Sequence, residues 1–263
     1  MTAALIEKRQ SILITGAASG IGRAAARLFV ERGWFVGLGD INNAALAELK
    51  AELGAQNVLS MQFDVASPEE WSQALSEFHR RTGRLDVLLN NAGILISGPF
   101  ESSPLERHHT VIDINIKGLL NGCYLSLPYL IGTPGACVIN LSSTAAIYGQ
   151  ASLATYSSTK FAVRGLTEAL NIEWQRHGIR VIDIMPPFVQ TDMIKGMNAR
   201  SMERLGVQLT PENVAESIWA AANDQGDFSK PHRPVGFIAA WLFRLTNLAP
   251  SRLRRYIAMR IAT

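Results

Sequence analysis

The chain has 263 residues, a formal charge of +3, 48% hydrophobic residues and 18% charged residues. This composition excludes a disordered chain, and the length suits one α/β domain able to bury a sizeable core. The charge is uneven: from Lys230 to the C-terminus there are seven bases and no acid, which leaves 18 bases against 22 acids in the rest. The basic balance belongs to the tail and gives no support for a nucleic-acid partner. Cys123 and Cys137 are too few for a disulfide framework and lack a metal-ligand spacing, so a reducing compartment such as the cytoplasm is expected. Residues 1–10 lack the apolar core of a secretory signal, and no apolar run reaches membrane-spanning length.

In chain order, Ser11–Thr15 reads as a strand, Gly16–Gly22 as a glycine-rich turn and Ile21–Arg32 as a helix. Trp34–Gly39 is an apolar strand ending at Asp40, and Ala44–Leu53 is a helix stopped by Gly54. Asn57–Phe63 is a third strand. Pro68–Thr82 is a helix, begun by Ser67-Pro68 as N-cap and N1 and closed by Gly83. Leu85–Leu89 is a strand, and Leu105–Tyr129 a long helix bent where Gly118 and Gly122 interrupt it. Ala136–Leu141 is a strand, Tyr156–His177 a helix, and Ile179–Met185 a strand stopped by Pro186-Pro187. Pro211–Asn223 is a helix capped by Thr210, and His232–Phe237 a last strand. Short apolar strands alternating with helices predict a doubly wound parallel sheet of Rossmann type in three α/β/α layers. The expected organisation is a catalytic dinucleotide-binding domain over 1–229. A basic, apolar extension over 230–263 would pack on the same domain or on a partner subunit.

The turn Thr15-Gly16-Ala17-Ala18-Ser19-Gly20-Ile21-Gly22 joins a strand to a helix. Glycines let a pyrophosphate approach the backbone, and the helix start offers free N–H groups and a positive dipole end. The spacing is GxxxGxG rather than GxGxxG, and alone it fits a plain tight turn equally well. Asp40 ends the second strand, about 20 residues on, where an acid meets a ribose. A carboxylate there accepts both adenosine ribose hydroxyls and repels a 2′-phosphate, which favours NAD(H) over NADP(H). Neither 17–19 nor 41–43 carries a base to clamp a phosphate. Tyr156 and Lys160, four apart on a helix, share one face. An ammonium beside a phenol stabilises the phenolate, so Tyr156 is expected to have a lowered pKa and to exchange a proton with an alcohol or ketone oxygen. Ser143, 13 residues earlier at the end of a strand, can hydrogen-bond the same oxygen.

TGAASGIG at Thr15–Gly22, NNAG at Asn90–Gly93, Asn115, Ser143 and YSSTK at Tyr156–Lys160 together resemble a short-chain dehydrogenase/reductase of the compact single-domain branch, over about Ser11–Asn223. The resemblance implies that Gly16, Ser19, Gly20, Ile21 and Gly22 hold the pyrophosphate region. It places Asp40 on the adenosine ribose, with Ile41, Asp64 and Val65 at the adenine. Asn91, Ala92 and Gly93 would line the ribose side, with Asn90 bracing the sheet. Asn115 would hold a water linked to Lys160, and Lys160 would also bind the nicotinamide ribose. Pro186, Val189 and Thr191 would meet the nicotinamide. Pro187 stands where the family usually has glycine, which leaves the local backbone path open.

The expected mouth residues Leu95, Ile96, Ala145, Tyr148, Phe188 and Met193 are mostly apolar, which points to a lipophilic secondary alcohol or ketone. Asp192–Val207, with four Met or Leu side chains and Gly196, reads as a lid. Ile238–Leu248 is apolar, and Ser251–Ile261 reads as a basic amphipathic helix. That helix suits packing on another subunit, covering the pocket, or peripheral contact with an anionic membrane. The histidines suggest surface or cap positions and no metal site. Family habit implies a homodimer or homotetramer. The same residues also fit an NADP(H)-dependent carbonyl reductase or a non-catalytic dinucleotide sensor.

Overall fold

A computed structural model describes residues 9–194, 206, 207, 209–224, 227–248, 250, 252 and 259, with the backbone alone at 247 and 248. The strands are β1 (Ser11–Thr15), β2 (Phe35–Asp40), β3 (Val58–Gln62), β4 (Val87–Asn90), β5 (Cys137–Leu141), β6 (Arg180–Met185) and β7 (His232–Pro234). All neighbours pair in parallel, in the order β3-β2-β1-β4-β5-β6-β7. The principal helices are α1 (Gly20–Glu31), α2 (Asn43–Leu53), α3 (Pro68–Thr82), α4 (Leu105–Ile112), α5 (Gly118–Ile131), α6 (Ala154–Glu173), α7 (Pro211–Asn223) and α8 (Gly236–Leu248). The expected three-layer Rossmann-type architecture is therefore present, and β7, within the 230–263 stretch, belongs to the same sheet.

Side chains alternate between the two faces of each buried strand. Ile12, Ile14, Leu38 and Ile139 pack with Phe29 of α1, Leu49 of α2 and Ile218 of α7. Leu13, Phe35, Leu88 and Val138 pack with Trp71 and Phe78 of α3, Cys123 of α5 and Val163 of α6. Helix ends follow local chemistry. Ser67 Oγ accepts the Glu70 N–H at 3.2 Å, Pro68 fills the first turn, and Gly83 closes α3 at φ +68°. Thr210 and Asn213 form a reciprocal capping box at α7.

Two sequence expectations need correction. The long helix expected over 105–129 is interrupted before its glycines, by a π turn at Asp113–Lys117 that separates α4 from α5. Gly118 and Gly122 serve close packing instead. A Cβ would lie 2.7 Å from Val65 Cγ2 at Gly118 and 2.4 Å from Asn90 Oδ1 at Gly122. The last strand ends at Pro234 rather than Phe237. Gly236, at φ +82°, then turns the chain into α8.

A polar row crosses the apolar sheet. Asn90, Asn140, Asp183 and His232 are aligned partners on β4, β5, β6 and β7. Asn90 Nδ2 donates to Asn140 Oδ1 at 2.9 Å, and Asn140 Nδ2 donates to Thr167 Oγ1 of α6 at 3.0 Å. Asp183 is fully buried, with Oδ2 2.8 Å from His232 Nδ1. Burial pushes its carboxyl up from the usual range, and the His232 hydrogen bond opposes this.

Candidate active site

The strand order reverses between β1 and β4, where a doubly wound sheet opens a crevice at its C-terminal edge. A cavity of about 330 Å³ lies there. It is lined by Gly16, Ser19, Gly20 and Ile21, by Asp40, Ile41, Asp64 and Val65, and by Asn91, Ala92 and Gly93. Leu95, Ser143, Tyr156, Lys160, Pro186, Phe188, Val189, Thr191 and Met193 also line these walls. Residues distant in sequence but expected to share a site thus share one cavity.

The glycine loop is held by hydrogen bonds from side chains to its backbone. Asn91 Nδ2 donates to the carbonyls of Thr15 and Gly16 at 2.8 and 3.0 Å, and Thr15 Oγ1 accepts the N–H groups of Asn91 and Ala92, both at 3.1 Å. Gly16 and Gly20 have φ of +64° and +49°, values that favour glycine. A Cβ on Gly20 would come 3.2 Å from Thr191 Cγ2, so the segment after β6 arches close over the loop. Gly22 does not line the cavity. A Cβ there would meet the Gly16 carbonyl at 2.1 Å, so this glycine lets α1 seat against its own loop. Asp40 Oδ2 accepts the Ala18 N–H and Oδ1 the Asn42 N–H, each at 3.0 Å. Arg23 pairs with Glu52 at 2.8 Å.

Asn115 sits in the π turn and lines a small recess beneath the main cavity, together with Lys160. Its Oδ1 accepts the Ile94 N–H at 2.8 Å, and its Nδ2 donates to the Ile94 carbonyl at 2.9 Å and to Thr159 Oγ1 at 3.1 Å. The side chain therefore clamps the Gly93–Leu95 wall, and its direct partners do not include Lys160. Lys160, itself buried, donates from Nζ to the Leu141 carbonyl at 2.7 Å. Its Nζ lies 5.5 Å from the Tyr156 ring centroid.

The protein's own groups shift Tyr156 opposite to the expected direction. Burial pushes its phenol up to about 12, and a hydrogen bond with Ser143 only partly opposes this. Burial also brings Lys160 down to about 8, against the pull of Asp183. Desolvation is the largest influence on both groups, and it is this that the sequence does not report.

Ala145 and Tyr148 are not brought to the cavity. Both are buried, and Tyr148 packs with Ala146, Met185 and Leu242. Phe188 packs against Leu153, as do Leu95, Tyr156 and Ile194, so Pro187 leaves an apolar wall intact. His108 is buried rather than on the surface, with Nδ1 2.6 Å from Thr155 Oγ1 and Nε2 3.1 Å from the Phe100 carbonyl. Among the described residues no group of His, Cys, Asp or Glu suits a metal. Cys123 and Cys137 are buried thiols pushed up to about 12 and about 11 by desolvation. The lid stretch over 192–207 is described only at 192–194, 206 and 207, and most of 251–261 lies outside the described residues.

Sequence reasoning missed Thr159, Ile94 and Gln150. Gln150 lines the cavity, is 3% exposed, and has no hydrogen-bond partner for its buried Oε1. No periodicity marks it, because its place depends on the loop before α6.

A crevice lined by a glycine loop, a strand-end acid and a Ser–Tyr–Lys group defines a dinucleotide-dependent oxidoreductase site on a Rossmann-type sheet. Comparison with known proteins names the group. The short chain dehydrogenase family profile matches residues 10–201, and the chain belongs to the short-chain dehydrogenase/reductase family. It is thus an NAD(P)-dependent dehydrogenase acting on CH–OH groups. The 3-beta-hydroxysteroid dehydrogenase of Comamonas testosteroni is 33% identical over 226 residues, covering 81% of this chain and 88% of that protein. The 3-ketoacyl-(acyl-carrier-protein) reductase of Brucella melitensis, solved with NADH, superposes with a TM-score of 0.79 at 26% identity, covering 86% of this chain and 96% of that one. ElxO with NADP bound has a TM-score of 0.79 at 25% identity, covering 86% and 97%. Among the described residues no helix is long and apolar enough to cross a membrane.

Proposed function

We propose that the chain interconverts a lipophilic secondary alcohol and its ketone with NAD(H), with Tyr156 as the acid/base group. The carrying observation is that Ser143, Tyr156 and Lys160 line the same cavity as the glycine loop and Asp40, with Lys160 Nζ 5.5 Å from the Tyr156 ring centroid. The residues fit a nicotinamide dinucleotide. The positive-φ glycines leave space for a pyrophosphate at the start of α1, and Ser19 has no cap bond engaging its hydroxyl. Asp40 would take the adenosine ribose. Its charge supports NAD(H), since a 2′-phosphate would face a carboxylate already turned toward the loop. Ile41, Asp64 and Val65 would flank the adenine, and Asn91, Ala92 and Gly93 the ribose side. Pro186, Val189 and Thr191 would meet the nicotinamide. When bound, the oxidised dinucleotide accepts a hydride, and its positive ring favours the phenolate.

Ser143 would orient the substrate oxygen. Tyr156 would take the hydroxyl proton as the carbon–hydrogen bond breaks, or return it in reduction. Lys160, held by the Leu141 carbonyl, would steady the phenolate. Asn115 would fix the Ile94 wall and so the floor beside Lys160. Leu95, Phe188 and Met193 support a lipophilic substrate. A homodimer or homotetramer in the cytoplasm completes the reading, with 230–263 as an extension serving more than the sheet. The test is absorbance at the reduced-nicotinamide band, with lipophilic and small polar alcohols and ketones, each with NAD(H) and NADP(H). Turnover of lipophilic substrates with NAD(H) is the expected result. Preference for NADP(H), or turnover confined to small polar substrates, would overturn the corresponding half. Tight NADH binding without turnover on any substrate would favour a dinucleotide sensor.

A further inference from the structure

The end of the sheet leads directly from the cavity wall to an apolar helix face. Pro234, the last residue of β7, pairs with Met185, and Met185 precedes the cavity-lining Pro186, Pro187 and Phe188. The Val235 N–H donates to the Met185 carbonyl at 3.1 Å, and the turn at Gly236 starts α8 there. α8 therefore begins beside the apolar end of the cavity.

α8 has two unlike faces. Ala239, Leu242 and Thr246 are buried against the domain. The opposite face presents Phe237, 84% exposed, and Trp241, 55% exposed, together with Ile238 and Leu245. Positions 237, 238, 241 and 245 form one stripe on a 3.6-residue helix. Arg244 is exposed on the edge of the same stripe. A continuous aromatic and aliphatic stripe in water marks a contact surface.

Charge selects the occupant. The stripe lies in the part of the chain with seven bases and no acid; Lys230 and Arg233 pair with Asp227 and Asp224, so the basic charge offered to a partner is that of the arginines from 244 onward. A second copy docked stripe to stripe would oppose two basic segments. A nucleic acid would satisfy the bases and leave Phe237, Trp241 and Leu245 unburied. An anionic bilayer satisfies both: the apolar side chains enter the acyl boundary, Trp241 suits the interface, and arginines extend to the headgroups.

We propose that the exposed face of α8 is a docking surface for an anionic phospholipid bilayer, holding the apolar end of the cavity next to the lipid. The orientation of the cavity toward a lipophilic substrate rests on the proposed function, whereas docking itself does not.

The experiment is co-sedimentation of the full chain with phosphatidylcholine vesicles, with and without phosphatidylglycerol. It is repeated at raised salt and for Phe237→Ser/Trp241→Ser. Wild type should partition onto the anionic vesicles only and be released by salt, with the double variant about tenfold weaker or more. The two side chains are largely exposed, so melting temperature and NADH binding should stay at wild-type values. Wild type remaining in the supernatant with anionic vesicles would overturn the proposal, as would a double variant that sediments like wild type. A double variant that sediments normally but dissociates a larger assembly in gel filtration would assign the stripe to self-association. Because no turnover is measured, failure here is distinct from failure of the alcohol–ketone assignment.

Discussion

The two ends of the cavity are built differently. At the end beside the glycine loop, side chains hold main chain: Asn91 takes the Thr15 and Gly16 carbonyls, Asp40 takes the Ala18 and Asn42 N–H groups, and Thr15 takes the turn after β4. At the end beside Phe188, the side chains of Leu95, Phe188 and Ile194 pack against Leu153 by apolar contact, and Gln150 keeps an unpartnered oxygen. Directional bonds to backbone tolerate few residue types, whereas apolar packing tolerates many of similar volume. Under the proposed function, the first end would hold one ligand class in one pose, and the second could change its substrate by exchanging side chains.

Several measurements can break or sharpen this contrast. The largest effect is expected where the ends meet: Tyr156→Phe should lower turnover about a thousandfold. NADH binding, followed by fluorescence, should change little; turnover near the wild-type level would remove Tyr156 from proton transfer. Gly22→Ala probes the rigid end. A methyl group 2.1 Å from the Gly16 carbonyl should destabilise the fold by about 3 kcal/mol and abolish NADH binding. Denaturant unfolding equal to wild type would show that the loop can yield.

Lys160 carries a burial penalty with a defined pH window. Its folded pKa, about 8, lies below the ordinary 10.5, so the cost of burying the ammonium is fully present below about pH 8 and fades as pH rises toward 10.5. The melting temperature of Lys160→Met relative to wild type should therefore fall across that window, by the equivalent of roughly 3 kcal/mol. A difference independent of pH would contradict the burial account. Asp40→Ala should weaken NADH about tenfold while leaving NADPH nearly unchanged, read by parallel titrations. Equal losses would detach Asp40 from the ribose. The smallest change is expected at the adaptable end: Gln150→Leu should alter KM about threefold, in a direction set by substrate polarity, with kcat nearly constant. A large loss of kcat would place Gln150 with the rigid group.

The same contrast accounts for what the amino-acid sequence revealed. The sheet, its layers and the gathering of the glycine loop, Asp40, Tyr156 and Lys160 into one cavity were legible because glycine at positive φ, an acid at a strand end and Tyr-x-x-x-Lys on a helix depend on local backbone geometry. Features set by packing were harder to read. Gly118 and Gly122 suggested a bend, but they are small because Val65 and Asn90 lie against them. Ala145 and Tyr148 follow Ser143 closely, yet the 3₁₀ turn at Thr144–Ala146 directs the chain toward Met185 and Leu242. The direction of the Tyr156 shift was also hidden, because residue spacing reports the nearby ammonium but not the water removed around both groups. His108 looked like a surface residue until Phe100 and Thr155 closed over it.

The row of Asn90, Asn140, Asp183 and His232 bears on how the chain finds its fold. Parallel strands of interchangeable Val, Ile and Leu offer several pairings of similar energy, because aliphatic side chains do not distinguish neighbours. One polar residue at the same level on each of four strands removes that degeneracy. A slip by one position would turn an amide or carboxylate into the opposite aliphatic layer, away from Thr167 and His232. The row thus acts as an alignment code, penalising wrong pairings more strongly than it strengthens the right one.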